Sequence, residues 1–380
     1  MHPHLEIDSL PALDAHLAEH RGLHRVVLQG LDLRDRDDLV EVAMREVVFL
    51  GCAFSEKLLH GVQAGGALVF PDFPGLPWRA FRSQLYTPEE LYEGFEPGDP
   101  ASYQRTLDAR VYAHQQAAGG AIPTSIVEAL ARRIHDHSIT DALTELLDDD
   151  GHGRPRRVVA VMGGHGMARG SAPYAEVAWI GRALARRGFL VATGGGPGAM
   201  EAAHVGAWFA GREDGALAEA LEVLASAPTY KDPRWLAAGF EVRARWPQQA
   251  GSEVMSLGIP TWHYGHEPPN PFATCIAKYF ENSVREEGLL AIATCGVVYS
   301  PGSAGTIQEV FQDACQNHYE SFGTSPMIFL GEQYWTETKP VYPLLKQLAE
   351  GHAYARWLRI TDDVEAVVAV VDAYVADLFS

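Results

Sequence analysis

Residues 157–200 read RVVAVMGGHGMARGSAPYAEVAWIGRALARRGFLVATGGGPGAM. An apolar run at 158–162 is followed by a glycine-rich turn and a helix-like segment at 174–187, and a second apolar run at 189–192 ends in three glycines at 194–196. Short apolar strands that alternate with helices are typical of a parallel sheet covered by helices on both faces. The sequence therefore predicts an α/β fold with a Rossmann-like parallel sheet.

The alternation continues towards the C-terminus. Further strands are predicted at 256–260, within 291–299 and at 327–330, and a helix-rich tail follows them. A more polar stretch at 212–253 interrupts the pattern and is interpreted as an insertion. We assign residues 156–380 to one nucleotide-binding domain of this Rossmann-like type.

The first 150 residues have a different texture and are predicted to form a separate N-terminal α+β domain. Its predicted strands recur about every 20 residues, at 26–28, 47–50 and 67–70. Residues 125–147 are predicted to form a long amphipathic helix whose apolar face contains Ile126, Leu130, Ile134, Leu143 and Leu147. A polar run at 148–155 that contains glycine and ends in proline is the predicted linker. No residue pattern in this half points to a particular chemistry.

Composition excludes several functional classes. The formal net charge is −19, whereas non-specific binding to DNA or RNA requires a basic surface. No apolar run approaches the roughly 18 residues of a membrane span, and the N-terminus lacks the features of a secretory signal, so a cytoplasmic location without membrane contact is predicted. Four scattered cysteines without a C-x-x-C pair, and histidines without a helical H-x-x-x-H pattern, predict neither a disulfide framework nor a metal site.

Three glycine-rich turns, at 163–170, 194–198 and 301–305, each lie between a predicted strand and a predicted helix. A helix N-terminus presents unpaired N–H groups and a partial positive charge, and glycines let the backbone approach a phosphate closely. The first turn is one residue too long for the dinucleotide fingerprint, and the second strand does not end in an acidic residue. An NAD(P)-dependent enzyme is therefore kept only as a minor alternative.

The other two turns carry a family resemblance. GGGPGAMEA at 194–202 together with PGSAGTIQE at 301–309 resembles the LOG-type nucleotide phosphoribohydrolases, whose hallmark is PGGxGTxxE. With EPPNP at 267–271, the chain looks most similar to the bacterial purine/pyrimidine nucleotide 5′-monophosphate nucleosidases of that superfamily. The resemblance covers roughly residues 157–335. It implies hydrolysis of the N-glycosidic bond of a nucleoside 5′-monophosphate to free base and ribose 5-phosphate, without a cofactor, in a homo-oligomer of at least two subunits.

The resemblance also implies which residues form the site. Glu309 and Arg285 match the catalytic glutamate and arginine of the family. The predicted nucleotide-binding residues are Gly194, Gly195, Gly196, Gly198, Met200, Gly302, Ser303, Ala304, Gly305 and Thr306. A base pocket is predicted around Gly164 and Asn270, the latter in an aromatic, proline-rich loop that also contains His263 and His266. Ser303 replaces a family glycine, and its side chain either adds a hydrogen bond to phosphate or narrows the pocket.

Each catalytic assignment has a structural alternative. Glu309 would stabilise the oxocarbenium character of the transition state and position water, but Thr306 to Glu309 also has the spacing of a helix-capping box. Arg285 would orient the substrate, or it would be a solvated helix charge beside two glutamates. Glu201 is interpreted as a favourable first-turn charge rather than a ligand contact. For the whole chain, nucleotide binding or sensing without hydrolysis is the alternative function.

Overall fold

The computed structural model describes residues 5–248, 254–265 and 267–378. The strands, in chain order, are β1 (Leu5–Ile7), β2 (Gly22–His24), β3 (Val26–Gln29), β4 (Asp32–Leu33), β5 (Ala43–Arg45), β6 (Val48–Leu50), β7 (Ala53–Phe54), β8 (Leu68–Phe70), β9 (Val158–Met162), β10 (Leu190–Thr193), β11 (Ser256–Gly258), β12 (Cys275–Ile276), β13 (Val297–Tyr299), β14 (Met327–Leu330) and β15 (Leu358–Thr361).

The α-helices are α1 (Leu10–Glu19), α2 (Glu56–Ala64), α3 (Pro88–Leu91), α4 (Leu107–Ala117), α5 (Ile126–Asp148), α6 (Ala172–Arg186), α7 (Ala199–Trp208), α8 (Asp214–Ala225), α9 (Trp235–Arg245), α10 (Asn282–Ala291), α11 (Ala304–His318), α12 (Val341–Ala349) and α13 (Val364–Leu378). Short 3-10 segments cover Asp37–Glu41, Pro100–Arg105 and Ala353–Trp357, and a π-helical turn covers Tyr334–Thr338. In the described part of the chain, no helix has the length and apolar character to cross a membrane.

The chain divides into two compact units, which combine Met1–Leu85 with Ala113–Leu146 and Tyr86–Tyr112 with Leu147–Ser380. Residues 86–112 thus group with the C-terminal unit, although the sequence analysis assigned them to the N-terminal domain. The segment does not continue the 20-residue strand pattern that precedes it.

The N-terminal unit contains stacks of short parallel strands. β1, β3, β6 and β8 pair in that order, and β2 pairs with β5 and β4 with β7, all in parallel. The strands predicted from the 20-residue spacing are β3, β6 and β8. Their buried side chains, among them Leu28 and Phe49, form one core with the apolar residues of the neighbouring turns.

The apolar face predicted for helix α5 is buried only in part, at Leu143. Ile126 and Leu130 are exposed, whereas Ala131, Ile139 and Leu143 are buried.

The C-terminal unit has a seven-stranded sheet in the order β12-β11-β10-β9-β13-β14-β15, with all strands parallel. From β9 the chain builds outward through β10, β11 and β12, then returns to place β13 on the other side of β9. This confirms the predicted Rossmann-like fold. In such sheets ligands bind beyond the carboxyl ends of the strands, where the strand order reverses.

Helices cover this sheet. Two of them, α6 and α7, pack closely against each other. A Cβ at Gly206 would overlap the carbonyl oxygen of Ala178, so only glycine permits this approach. The predicted insertion contains the two helices α8 and α9, and residues 249–253 lie outside the described residues. These packings fix the N-terminus of α7 beyond the carboxyl end of β10.

Candidate functional site

The three glycine-rich turns meet beyond the ends of β10, β9 and β13. The Gly164 N–H donates to the carbonyl of Pro301 at 3.1 Å, and the Ala199 N–H donates to the carbonyl of Gly164 at 3.2 Å. Gly198 has φ +73°, and a Cβ there would overlap the Gly164 carbonyl oxygen. The first turn therefore holds the second and third turns together, which brings the two predicted nucleotide-binding segments side by side.

Asn270 holds the second glycine turn from behind. Its side chain is fully buried, and Nδ2 donates to the carbonyl oxygens of Gly195 at 3.0 Å and Gly196 at 3.1 Å. Its Oδ1 accepts from two backbone N–H groups of its own loop, at 3.1 and 3.2 Å. With its amide engaged in this way, Asn270 supports the loop, and the base contact expected at Gly164 and Asn270 stays a prediction. His263 is exposed, and His266 lies outside the described residues.

His204 completes this support as a neutral imidazole. Burial lowers its pKa to about 4. Nε2 lies 3.1 Å from the carbonyl oxygen of Leu257, which can only accept, so the proton belongs on Nε2, and the unprotonated Nδ1 lies 3.1 Å from Asn270 Nδ2. Helix α7 thus braces the loop that precedes it.

Glu201, in the first turn of α7, is paired inside the protein. Arg169 donates to both of its carboxylate oxygens, and the Tyr174 hydroxyl donates to Oε2 at 3.0 Å. Arg169 also donates to the carbonyl of Trp235 at 2.9 Å, and its guanidinium lies 4.7 Å from the centre of that indole ring. Because all of these groups are buried and matched, Glu201 anchors α7 rather than serving as a ligand contact.

Helix α11 begins directly after the third glycine turn. Its N-cap residue is Ser303, whose hydroxyl makes no capping bond to the described helix and lies 3.4 Å from Nζ of Lys339. Thr306 is therefore the third helical residue and Glu309 lies beyond the first turn, so the predicted capping box is wrong. A capping box would require the helix to begin after Thr306, whereas it begins at Ala304, and a Cβ at Gly302 would overlap the Thr306 hydroxyl.

Arg285 and Glu309 face each other at the edge of this turn. Nη1 of Arg285 lies 3.7 Å from Oε1 of Glu309, and Nε donates to the carbonyl of Ile259 at 3.0 Å. The arginine is 8% exposed, which excludes the solvated helix charge considered from the sequence. The pairing depends on α10 and α11 packing together, and it brings both predicted catalytic side chains to one place.

The Glu309 carboxyl titrates near neutrality. Burial raises its pKa from 4.5 to about 7, Arg285 opposes the rise, and the charge of Glu286 adds to it. Glu286 in turn accepts hydrogen bonds from Asn282 at 2.8 Å and from Gln308 at 2.6 Å. A carboxyl with such a pKa can both accept and return a proton at neutral pH.

Two side chains that were not assigned to the site from the sequence, Glu267 and its partner His165, lie near the second glycine turn. A Cβ at Gly196 would stand 3.9 Å from Oε2 of Glu267 and 2.9 Å from Cε of Met200. Oε1 of Glu267 lies 3.2 Å from Nδ1 of His165, in the first turn. Glu267 opens the EPPNP segment, which was recognised only as part of the resemblance.

Gly194, the first residue of the same turn, lies against Arg285. A Cβ there would overlap Nη2 of Arg285 and would stand 2.8 Å from Sδ of Met200. The second glycine turn thus lies near Arg285 at Gly194 and near Glu267 at Gly196. Within the described residues, no group of three or more His, Cys, Asp or Glu side chains is placed to hold a metal ion.

Neither a family model nor a curated protein matches this chain in sequence. Solved structures do resemble it. The molybdenum cofactor carrier protein from Chlamydomonas reinhardtii is 17% identical, with 58% of this chain and 99% of that chain covered and a TM-score of 0.37. A molybdenum cofactor binding protein from the phototrophic bacterium Rippkaea orientalis is 14% identical, with 58% and 98% covered and a TM-score of 0.37.

A third similar structure is TM1055, which is 20% identical, with 57% of this chain and 99% of that chain covered and a TM-score of 0.37. These similarities are low in identity and in TM-score. The ligand of this chain is therefore inferred from the residues of its own site.

Proposed function

We propose that this protein hydrolyses the N-glycosidic bond of a nucleoside 5′-monophosphate and releases the free base and ribose 5-phosphate. The observation that carries the proposal is the pair of Arg285 and Glu309, with side chains 10% and 13% exposed, at the point where the glycine-rich turns meet. A carboxylate held against a guanidinium beside phosphate-binding turns suits a reaction that develops positive charge on a sugar.

The phosphate is expected at the N-terminus of α11. The first N–H groups of a helix have no partner within it and carry partial positive charge, which favours an anion. Ser303 and Lys339 lie at the same end, and they add a hydroxyl and a cation. In a chain with a net charge of −19, this local arrangement is what would attract a phosphate monoester.

With the phosphate there, the ribose would lie over Glu309. As the bond between C1′ and the base nitrogen breaks, its electron pair leaves with the base, which takes up a proton from solvent; Glu309 later returns to solvent the proton that it accepts from water, so the net reaction adds one water molecule. The Glu309 carboxylate stabilises the positive charge on the sugar and accepts a proton from the water that adds to C1′. Arg285 holds Glu309 in its ionised form and orients the substrate.

The test is the release of free base and ribose 5-phosphate from AMP, GMP, IMP, CMP and UMP, measured by chromatography. We expect cleavage by the wild-type protein and its loss in Glu309→Gln and in Arg285→Met. Glu219→Gln, an exposed carboxylate on α8, is the matched control and should behave as wild type. If a nucleotide protects the protein against heat but none is cleaved, the hydrolase proposal fails and nucleotide binding without hydrolysis replaces it.

A further inference from the structure

We infer that Glu267, oriented by His165, reads the edge of the nucleobase and selects guanine. The inference rests on the proposed function, because it concerns the base of the same nucleotide. The proposed function gives contacts for the phosphate and the ribose but none for the base, and Glu267 would supply that contact.

The position of Glu267 is the first argument. Arg285 lies against Gly194 and Glu267 lies near Gly196, so both flank a segment of three glycines that spans only about 7 Å. Met200 lies close to both positions, since a Cβ at Gly194 would stand 2.8 Å from its Sδ and a Cβ at Gly196 would stand 2.9 Å from its Cε. A nucleotide whose ribose lies over the catalytic pair would therefore extend its base, on one side, towards this carboxylate.

The environment of Glu267 is the second argument. Its side chain is 18% exposed, and Oε1 is held 3.2 Å from His165 Nδ1, while Oε2 is the oxygen nearer the glycine turn. The Tyr230 ring lies 6.0 Å from the His165 ring at nearly a right angle, and burial together with the Glu267 charge raises the pKa of its hydroxyl. Glu267, His165 and Tyr230 thus form a polar cluster, and the Glu267 carboxylate is the group of this cluster near the glycine turn.

The chemistry of the bases is the third argument. An ionised carboxylate only accepts hydrogen bonds, through two adjacent oxygens. Guanine presents two adjacent N–H donors, N1–H and N2–H, on one edge. Hypoxanthine and uracil present one such donor, and adenine and cytosine place an acceptor beside their amino group. A bidentate match to the correct base is worth about tenfold to a hundredfold in discrimination.

The experiment compares kcat/KM for GMP, IMP and AMP in the wild type and in Glu267→Gln, with Glu219→Gln as the matched control. We expect GMP to exceed AMP by at least tenfold in the wild type, with IMP between them. In Glu267→Gln the ratio of GMP to AMP should fall at least tenfold, mainly through KM, because an amide presents a donor beside an acceptor and suits adenine better. A role of Glu267 in folding alone would change both substrates equally.

Two outcomes overturn the inference while the proposed function stands. One is cleavage of GMP and AMP at equal efficiency by the wild type. The other is an equal loss of kcat for every base in Glu267→Gln, which would place the carboxylate at the sugar.

If no nucleotide is cleaved, the proposed function fails, and calorimetric titration of GMP and AMP into the same proteins tests base selection alone. Tighter binding of GMP by at least tenfold, lost in Glu267→Gln, supports the inference. Equal binding, or no binding, overturns it.

Discussion

Replacement of Glu309 by glutamine tests both the proposed chemistry and the electrostatics of the site. The amide keeps the shape of the side chain and removes its charge, so it mimics the protonated acid. Loss of one well-placed electrostatic partner of a transition state typically lowers kcat by about a hundredfold to a thousandfold. We expect a loss of that size at pH 8, with nucleotide binding retained because the phosphate contacts lie elsewhere.

The pH dependence of kcat has a definite sign. The ionised carboxylate is the active form, and its pKa is about 7. The wild-type kcat should therefore fall about tenfold per pH unit below pH 7 and level off above it. In Glu309→Gln this step should be absent.

As the pH falls through 7, kcat should decrease while the contribution of Glu309 to the free energy of unfolding increases. Because burial raises the pKa of Glu309 in the folded protein from 4.5 to about 7, its contribution to stability is fully present below pH 4.5 and is lost as the pH rises through 7. The difference corresponds to about 3 kcal/mol, which is an upper limit for the gain on removing the charge. Glu309→Gln should be more stable than wild type at pH 8, and the difference should shrink towards pH 5.

Urea unfolding at pH 5 and pH 8, beside kcat at both values, measures these effects. Asp313→Asn is the matched control, since Asp313 lies one turn further along α11, burial raises its pKa to about 7, and its partners are Tyr299 and Asn317 rather than Arg285. It should leave kcat within a few-fold. A Glu309→Gln protein with kcat within threefold of wild type, or with equal stability at pH 8, would refute the reasoning.

Two further changes test the loop geometry. Gly194→Ala places a methyl group where the Arg285 guanidinium lies, so kcat/KM should fall about a hundredfold while the protein remains folded by circular dichroism. In the control Gly288→Ala the new methyl group meets no described atom within 4 Å. Equal activity of the two variants would count against this geometry. Asn270→Ala leaves two buried carbonyls of the second glycine turn without their donor, at a cost of about 1–3 kcal/mol each, measured by urea unfolding; a loss below about 1 kcal/mol in total would show that the amide does not hold the loop.

Several elements of the fold could be predicted because their pattern is local. β9 and β10 are buried on both faces, so each is a short, continuous apolar run bounded by polar residues or glycine. Neither edge strand of the sheet was predicted. β12 has only two residues, and β15 at the other edge carries an exposed arginine. Strands of this kind are defined by their pairing partner more than by their own residues.

The sequence alone determined which residue types lie beside each glycine turn, and hence Arg285 and Glu309 as candidates for the site. It could not determine their orientation, because a capping box, a solvated helix charge and a catalytic pair can share the same spacing. Only the packing of α10 against α11 buries Arg285 and brings it to 3.7 Å from Glu309, and only the approach of the EPPNP segment to the first turn brings Glu267 to His165. The physical reason is that these contacts join residues that are distant in the chain, and burial, which shifts the Glu309 pKa, is a property of the packed structure rather than of any local segment.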